Sequence, residues 1–426
     1  MKRAPTAAIV LGVALVAAAC GSSGPAEDSV STADEPSADS ATGDGAADTA
    51  GDETTDGEPP DAGAGGASAL TGSAAEGWEL VAIGEGTKPD LALDPDGVPG
   101  ITFLFENLPE GFVAYATAAD GWVVENFVEG YFYGPIGLDY GPDGRAHIAY
   151  HDHQESTFEE DLGDLTYAVL SDGEWSITAA ASDGHDGWDS TIRVGDDGVV
   201  RAAGVDPAQF GRVEGLEYYE LVDGAWQVEA IGTGPLEYEW NVDLQVAPDG
   251  SPALTYFLTD AQDLVFASRA ADGSWTVEPV DTDGDVGRFS SLAIDGDGAA
   301  HISYWHGDTG EVRYATNAGG AWETTTIDTL EQVEIGFEGA RRITSIALDP
   351  AGVPSVAYSD LAGIRLAVRG DDGTWTTEQI LTAGDRPLGQ LVSLEIDGSG
   401  ALHLAFFEVT GNGPLSGVVG YMTPAG

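Results

Sequence analysis

The 426-residue chain holds one cysteine, two lysines and a single long apolar run. The lone cysteine, Cys20, excludes a disulfide within the chain. Only 15 basic residues stand against 73 acidic ones, which gives a formal net charge of −58. Nucleic acid and anionic membrane surfaces are therefore poor partners, and we expect no nucleic-acid ligand. Because the acids are spread along the whole chain, the acidity favours a solubilising surface; the alternative is cation binding.

The apolar run, residues 7–19, follows two basic residues and is too short to span a membrane comfortably. Residues 17–21 read AAACG and resemble the lipobox of bacterial lipoproteins, although Ala17 stands where that motif usually has Leu. The resemblance implies a signal peptide over 1–19 and lipid attachment to Cys20. It also implies a location in the cell envelope, with the lipid as the only membrane contact.

A linker is predicted over residues 20–76. From residue 21 onward it consists mostly of Gly, Ser, Ala, Thr, Pro and acids, with 13 acidic residues, no basic residue and no aromatic residue. Such a stretch buries too little apolar surface to offset the entropy cost of ordering. We therefore expect a disordered acidic tether.

Seven glycines, here called the marker glycines, recur at intervals of 47 to 54 residues. Each is preceded by apolar residues at the sixth and fourth positions before it, and Asp precedes five of them directly. A period of this length is the signature of a repeat architecture. The marker glycines are Gly97, Gly144, Gly198, Gly250, Gly298, Gly352 and Gly400.

Each repeat predicts four short strands joined by tight, glycine-containing turns. A Trp opens the fourth strand in six repeats, but the seventh repeat ends before its fourth strand. The segment from Gly77 to about residue 84 matches those fourth strands, so we expect it to complete the last blade. The predicted fold is all-β: a seven-bladed β-propeller of four-stranded blades over residues 77–426, closed by its N-terminal strand.

The motif at 291–322, with SLAIDGDG, HISY, VRYA and GGAW in succession, resembles bacterial propellers of the sialidase, BNR and lectin-like group. This resemblance covers about residues 77–426 and implies the propeller architecture. Propellers of that group include hydrolases, lyases and lectins, so the resemblance does not choose an activity.

Residues that recur at one repeat position are predicted to be structural. Seven Trp fall at the opening of the fourth strand, where packing between blades explains them. His147, His301 and His403 share the position three residues after the marker glycine, and we expect them to hydrogen bond between blades.

Three other Trp lie at the face formed by the fourth-to-first and second-to-third connections. Trp188 and Trp240 stand ten residues before their marker glycines, the position that Arg288 and Arg342 hold in later repeats; Trp305 is the third. Trp offers a stacking face and Arg a bidentate fork for carboxylate. We predict that these five residues form a ligand pocket at the channel mouth, for a sugar or a partly anionic ligand. The alternative is that they only cover loop ends.

A second set lies eight residues after the marker glycines and includes acids suited to proton transfer, Asp152 and Glu408. The alternative is that such acids cap local turns. His151, Asp152 and His153 form a candidate metal cluster. Asp281, Asp283 and Asp285 alternate like a calcium loop but lack the distal bidentate Glu. Calcium is thus the only cofactor that the sequence suggests.

Three functions are compatible with these features. The first is a lipid-anchored, monomeric binding module for a glycan, peptide or protein. The second is an extracellular sialidase-like hydrolase or polysaccharide lyase, which would use Arg288 and Arg342 to hold a carboxylate. The third is a structural component of envelope assembly. Because no Tyr/Glu nucleophile pair of the sialidase type can be located, the sequence favours the non-enzymatic module.

Overall fold

Alternating apolar residues and glycine turns make each repeat an antiparallel sheet in the computed structural model. The structure describes residues 69–107, 110–130, 132–152, 163–181, 187–206, 215–231, 242–330, 343–360, 362–410 and 416–426. All seven marker glycines have φ between 73° and 87°, a region that L side chains rarely adopt. The tight turn between the first and second strands of each blade therefore requires glycine.

Two strands precede the first complete blade, β1 (Ser73–Ala74) and β2 (Trp78–Glu85). Blades 1 to 3 then follow in chain order. Their strands are β3 (Thr87–Leu93), β4 (Pro99–Asn107), β5 (Glu110–Thr117) and β6 (Glu125–Gly130); β7 (Phe132–Tyr140), β8 (Ala146–Asp152), β9 (Asp164–Ser171) and β10 (Glu174–Ala181); and β11 (Trp188–Val194), β12 (Val200–Asp206), β13 (Gly215–Val222) and β14 (Ala225–Ala230). A short 3₁₀ helix, Ala118–Asp120, lies between β5 and β6.

Blades 4 to 7 repeat the pattern. Their strands are β15 (Asp243–Val246), β16 (Pro252–Leu258), β17 (Asp263–Arg269) and β18 (Trp275–Asp281); β19 (Val286–Ile294), β20 (Ala300–His306), β21 (Glu311–Thr316) and β22 (Glu323–Thr329); β23 (Thr344–Leu348), β24 (Pro354–Ser359), β25 (Gly363–Arg369) and β26 (Trp375–Thr382); and β27 (Leu388–Ile396), β28 (Leu402–Val409) and β29 (Gly417–Pro424). No described helix is long and apolar enough to cross a membrane.

The ring is closed by its N-terminal strand. Blade 7 has the order β27-β28-β29-β2, and β2 pairs antiparallel with β29, with Trp78 opposite Pro424 and Val81 opposite Tyr421. The predicted seven-bladed propeller and its closure are both confirmed. A further strand that the sequence did not predict, β1, pairs with the outer edge of β26 in blade 6.

The first strands of the blades surround the axis, each in contact with the next, and β27 contacts β3 to complete the circle. A polar side chain seven residues before the marker glycine accepts the backbone N–H of the next blade. Asp90 thus accepts from Leu138 at 3.0 Å, and Ser345 from Leu394 at 3.0 Å. Asp243, Ser291 and Ser393 repeat the contact in other blades. These side chains accept hydrogen bonds from backbone N–H groups at the inner edge of each sheet, where no further strand is present to pair with them.

The fourth-strand Trp pack between blades, as predicted. Trp275 of blade 4 lies edge-on to Tyr218 of blade 3, with ring centroids 5.3 Å apart, and Trp175, Trp226, Trp322 and Trp375 make the equivalent contact. Each therefore contributes to an apolar layer between two neighbouring sheets.

The three recurrent His bond within a blade, so the prediction of hydrogen bonds between blades is wrong. The Nδ1 atoms of His147, His301 and His403 lie 2.6 Å from the hydroxyls of Tyr167, Tyr314 and Tyr421, which stand on the third strand of the same blade. The reason is the register of the second and third strands, which places the His and Tyr side chains next to each other on the same face of the blade. Burial lowers the pKa of His147 to about 4, so its imidazole is neutral at physiological pH.

Candidate ligand site at the channel mouth

The inner strands begin with an irregularity that recurs around the ring. The pairing of first and second strands shifts register near this point in five blades, for example between Thr87 and Asp90 and between Trp188 and Thr191. At the shift, Lys88, Asp189 and Phe289 have φ of 55°, 50° and 55°. Left-handed non-glycine residues carry strain, which proteins tend to retain at ligand sites.

This irregularity shapes a cavity on the axis, bounded by residues of five blades. The lining residues stand seven to nine positions before the marker glycines: Lys88, Pro89, Asp90, Pro135, Ile136, Gly137, Asp189, Ser190, Val242 and Leu391. The cavity measures about 20 Å³, enough for a water molecule but too small for a sugar ring. Lys88, Asp90 and Asp189 are each less than a tenth exposed.

The described members of the predicted Trp/Arg pocket do not converge on this cavity. Trp188 and Trp305 are 6% and 2% exposed and belong to separate apolar clusters, beside Tyr218 and beside Phe289 respectively. Their stacking faces are covered by protein. Arg288 stands opposite Trp305 across the β19–β20 pair, bonds Asp285 at 2.7 Å and lies 4.6 Å from the ring centre of Phe257.

Trp240 and Arg342 lie outside the described residues, so their part in the pocket stays a prediction. Trp188 and Arg288 stand one position too early in the sequence to line the cavity. They stand ten residues before their marker glycines, whereas the mouth is lined from the ninth. Because side chains alternate along a strand, the register shift after the tenth position changes which residue faces the axis.

The carboxylate of Glu408, a predicted proton-transfer residue, is hydrogen bonded to the chain's own N-terminal segment. Its side chain has no exposed surface, and its carboxylate accepts the backbone N–H of Thr71 at 2.8 Å and of Gly72 at 2.6 Å. The Thr71 hydroxyl donates a third bond, at 3.1 Å. In this structure Glu408 positions the N-terminal segment, and a role in proton transfer stays a prediction.

Of the candidate metal residues, His151, Asp281 and Asp285 contact other side chains of the protein. His151 is buried against Trp188, with ring centroids 4.9 Å apart; Asp152 ends β8, and His153 lies outside the described residues. Asp281 accepts bonds from Tyr304 at 2.6 Å and Arg313 at 3.1 Å. Asp285 pairs with Arg288, and the backbone of Asp283 bonds Asp281. Within the described ranges, no three His, Cys, Asp or Glu side chains are grouped to hold a metal ion.

Charged residues continue from the mouth along the channel, five residues before the marker glycines. At this position Asp139, Arg193 and Glu395 replace the alanines of blades 1, 5 and 6. Arg193 lies 3.4 Å from Asp243 and donates to its own strand at the carbonyl of Ile192. Asp139 accepts the N–H of Val194 at 2.7 Å. These three residues were not predicted from the sequence, although their distance from the marker glycines singles them out.

Burial raises the pKa of Glu395 to about 8, and the acids Asp139, Asp90 and Asp243 add to the rise, while Arg193 opposes it. Burial likewise raises the pKa of Asp139, although Arg193 and two backbone N–H groups favour its ionised form. At this level of the channel Arg193 lies among several described carboxylates, and one of these, Glu395, is protonated near neutral pH.

Replacing Glu395 with Gln is expected to stabilise the protein in alkaline solution. The folded pKa of Glu395 lies above its unfolded value, so wild-type stability falls as pH rises from about 4.5 to about 8. Glu395→Gln does not ionise and should be more stable by about 2 kcal/mol at pH 9, yet match wild type at pH 4. Urea unfolding at both pH values measures this, and a gain of equal size at both would contradict the assignment.

The fold and this axial site define a seven-bladed β-propeller. No protein-family model matches the chain, and no curated protein sequence is similar to it. Among solved structures, a polysaccharide lyase named as an ulvan lyase has a TM-score of 0.51 at 12% identity, covering 81% of this chain and 96% of its own. That likeness shows the shared fold alone.

Two further solved structures match with lower scores. An α-L-arabinanase of Penicillium chrysogenum has a TM-score of 0.45 at 14% identity, covering 68% of this chain and 92% of its own. A lectin of Aleuria aurantia has a TM-score of 0.47 at 11% identity, covering 70% and 96%.

Proposed function

We propose that this protein is a binding module that captures a hydroxylated or carboxylated ligand at the channel mouth. The observation that carries the proposal is the mouth itself, where Lys88 and Asp189 are buried, charged and held in left-handed backbone conformations. Burial of charged groups and left-handed backbone strain both cost free energy, and charged side chains held in this way around a small opening are typical of a ligand-binding site.

The size of the cavity limits how the ligand would enter. About 20 Å³ admits a hydroxyl group or one carboxylate oxygen, so the body of the ligand would lie across the rim. Lys88 would donate to that oxygen, and Asp189, Asp90 or Ser190 would accept from a hydroxyl. Glycans are the first class to test, because they present many such groups and a polysaccharide lyase shares the fold.

Display at the cell surface is part of the same proposal. It depends on lipid attachment to Cys20 and on the acidic segment up to residue 68, both outside the described residues. A monomer would suffice, because the mouth is built from one ring. Mass spectrometry of the mature protein would test the anchor, and an unmodified Cys20 would contradict it.

A glycan array with the purified domain tests the proposal. We expect binding that Asp189→Asn and Lys88→Met each weaken at least tenfold. Asn tolerates the left-handed conformation, so Asp189→Asn removes charge while keeping the backbone. Arg145→Ala is the matched control, because Arg145 is exposed in a first-to-second-strand turn and pairs with Asp143.

Two results would contradict a binding module whose site is the channel mouth. One is glycan binding that neither mouth variant changes while both melt like wild type. The other is turnover, meaning cleavage of a uronate-containing polysaccharide or a sialoside in a coupled assay, which would favour the hydrolase or lyase alternative. An absence of glycan binding would narrow the ligand to a peptide or protein, tested with the same variants.

A further inference from the structure

The segment before the closing strand lies in a groove between blades 6 and 7. Residues 69–76, assigned to the linker on sequence grounds, contact both blades. Thr71 and Gly72 donate three hydrogen bonds to the fully buried Glu408 of β28. The guanidinium of Arg386, in the connection between the two blades, lies 3.4 Å from the carbonyl of Ala69. The chain thus approaches blade 7 through a defined polar contact.

The same segment extends the sheet of blade 6. β1 pairs antiparallel with β26, with Ser73 opposite Thr382 and Ala74 opposite Leu381, and Ala75 donates to the carbonyl of Ile380 at 2.9 Å. Addition of an extended peptide to a sheet edge is a general mode of peptide recognition, in which backbone bonds give affinity and side-chain pockets give selectivity.

Side-chain fit makes the groove selective. Leu70 packs on the apolar cluster shared by the two blades, which includes Leu381 and Leu388. At Gly72 an added Cβ would lie 2.9 Å from Glu408 Oε1 and 3.1 Å from the Thr382 carbonyl, so a larger residue would have to displace the Glu408 carboxylate and the β26 backbone. The groove therefore matches an apolar residue, a hydroxyl residue and glycine in succession.

The groove wall also depends on glycine. A Cβ at Gly384, in the connection after β26, would lie 2.0 Å from the carbonyl oxygen of Thr71. The absence of that atom lets the peptide backbone rest directly on the connection between the blades. Both partners are thus shaped for a close backbone-to-backbone approach.

We propose that this groove is a peptide-binding site whose resident ligand is the chain's own segment 69–74. Its ligand class is an extended peptide with the pattern apolar, Ser or Thr, Gly, small residue. Glu408 is the recognition residue, because its buried carboxylate accepts from two successive backbone N–H groups and a hydroxyl. The site lies away from the channel mouth and does not rest on the proposed ligand there.

The resident segment competes with any peptide in solution. Only residues 75–77 separate β1 from β2, so its effective concentration at the groove is on the order of millimolar or higher. A free peptide of the same sequence should bind only when the resident is prevented from seating.

The test uses the full chain carrying Gly72→Leu, in which the added side chain is expected to keep the segment out of the groove while the groove residues are unchanged. A fluorescent peptide of residues 68–76 is titrated and its anisotropy recorded. We expect binding to the Gly72→Leu chain at least tenfold tighter than to wild type, whose groove is filled. Equal affinity for the two chains would overturn the proposal.

Two matched controls identify the contacts. The same peptide with Leu in place of its glycine should not bind the Gly72→Leu chain. Adding Glu408→Gln to that chain should weaken the wild-type peptide about tenfold, because an amide offers one acceptor oxygen where the carboxylate has two. Binding that neither change affects would show that the peptide attaches elsewhere.

A second variant of the full chain tests whether misfolding of the Gly72→Leu chain explains the result. Thr71→Asp places a carboxylate against Glu408 and should expel the segment without a steric change at Gly72. Near-ultraviolet circular dichroism, which reports the Trp between blades, verifies that either variant keeps the propeller. If a folded variant binds no peptide, the groove is only an internal contact and the inference fails. Glycan binding, measured separately, is unaffected by that outcome.

Discussion

Placing Asp at Ile83 is expected to destabilise the whole propeller by about 4 kcal/mol, because it puts a carboxylate into the layer that closes the ring. Ile83 is 6% exposed on β2 and packs in a cluster with Phe103 of blade 1 and Val419 of blade 7. Urea unfolding followed by Trp fluorescence would show the loss as a lower midpoint.

The matched control on the same strand is Glu79→Ala. Glu79 is exposed and stands opposite Thr423, so its replacement should change the free energy of unfolding by less than about 0.5 kcal/mol. Hydrogen exchange adds a local measurement, since the amides of β29 should lose protection in Ile83→Asp before those of blade 3. An Ile83→Asp chain as stable as the control would mean that β2 is dispensable for closure.

Replacing Arg193 with Met is expected to cost about 3–5 kcal/mol at pH 8, because it removes the cation from a group of channel carboxylates. Arg193 lies 3.4 Å from Asp243, and its charge favours the ionised forms of Asp139 and Glu395. Without it, Asp139 and Glu395 must either stay ionised in a confined space without compensation or take up a proton, and both cost free energy at pH 8.

The cost should shrink as the solution is acidified. In the variant, the folded pKa values of Asp139 and Glu395 rise further above their unfolded values, so protons bind the folded state preferentially at low pH. We therefore expect the difference from wild type at pH 5 to be less than half of that at pH 8. Arg145→Met, which removes an exposed cation paired with Asp143, should change stability by less than about 0.5 kcal/mol at either pH.

A loss for Arg193→Met that is the same at both pH values would assign the effect to packing of the long side chain. Adding Glu395→Gln discriminates further. If the effect is electrostatic, Glu395→Gln should restore part of the stability that Arg193→Met loses at pH 8 and none of it at pH 4. No recovery at pH 8 would contradict that account.

The fold was predictable because its signals repeat. The marker glycines mark a turn that only residues tolerant of positive φ can form, and their spacing exposed the missing strand that Trp78 and its neighbours supply. β1 escaped prediction because two residues, Ser73 and Ala74, carry no periodic pattern. Its position is set by Glu408, which lies more than 300 residues away in sequence.

The site was harder to predict because one register shift separates the tenth and ninth positions before the marker glycine. Trp188 and Arg288 attracted attention by their chemistry, yet the structure lines the axial cavity with Lys88 and Asp189. A shift of this kind has no fixed sequence signature, since Lys, Asp and Phe all occupy the left-handed position. The charges of Asp139, Arg193 and Glu395 could have been found, because the other repeats place an uncharged residue there, Ala in three and Gln in one.

The pairing of β2 with β29 has a consequence for how the protein is made. Residue 78 leaves the ribosome among the first of the domain, and its partner, residue 424, leaves among the last. Blades 1 to 6 can assemble in order of synthesis, but the opening strand must wait until β29 has been synthesised before it finds its neighbour. Until then its apolar side chains and its backbone edge stay available to chaperones, proteases and other nascent chains.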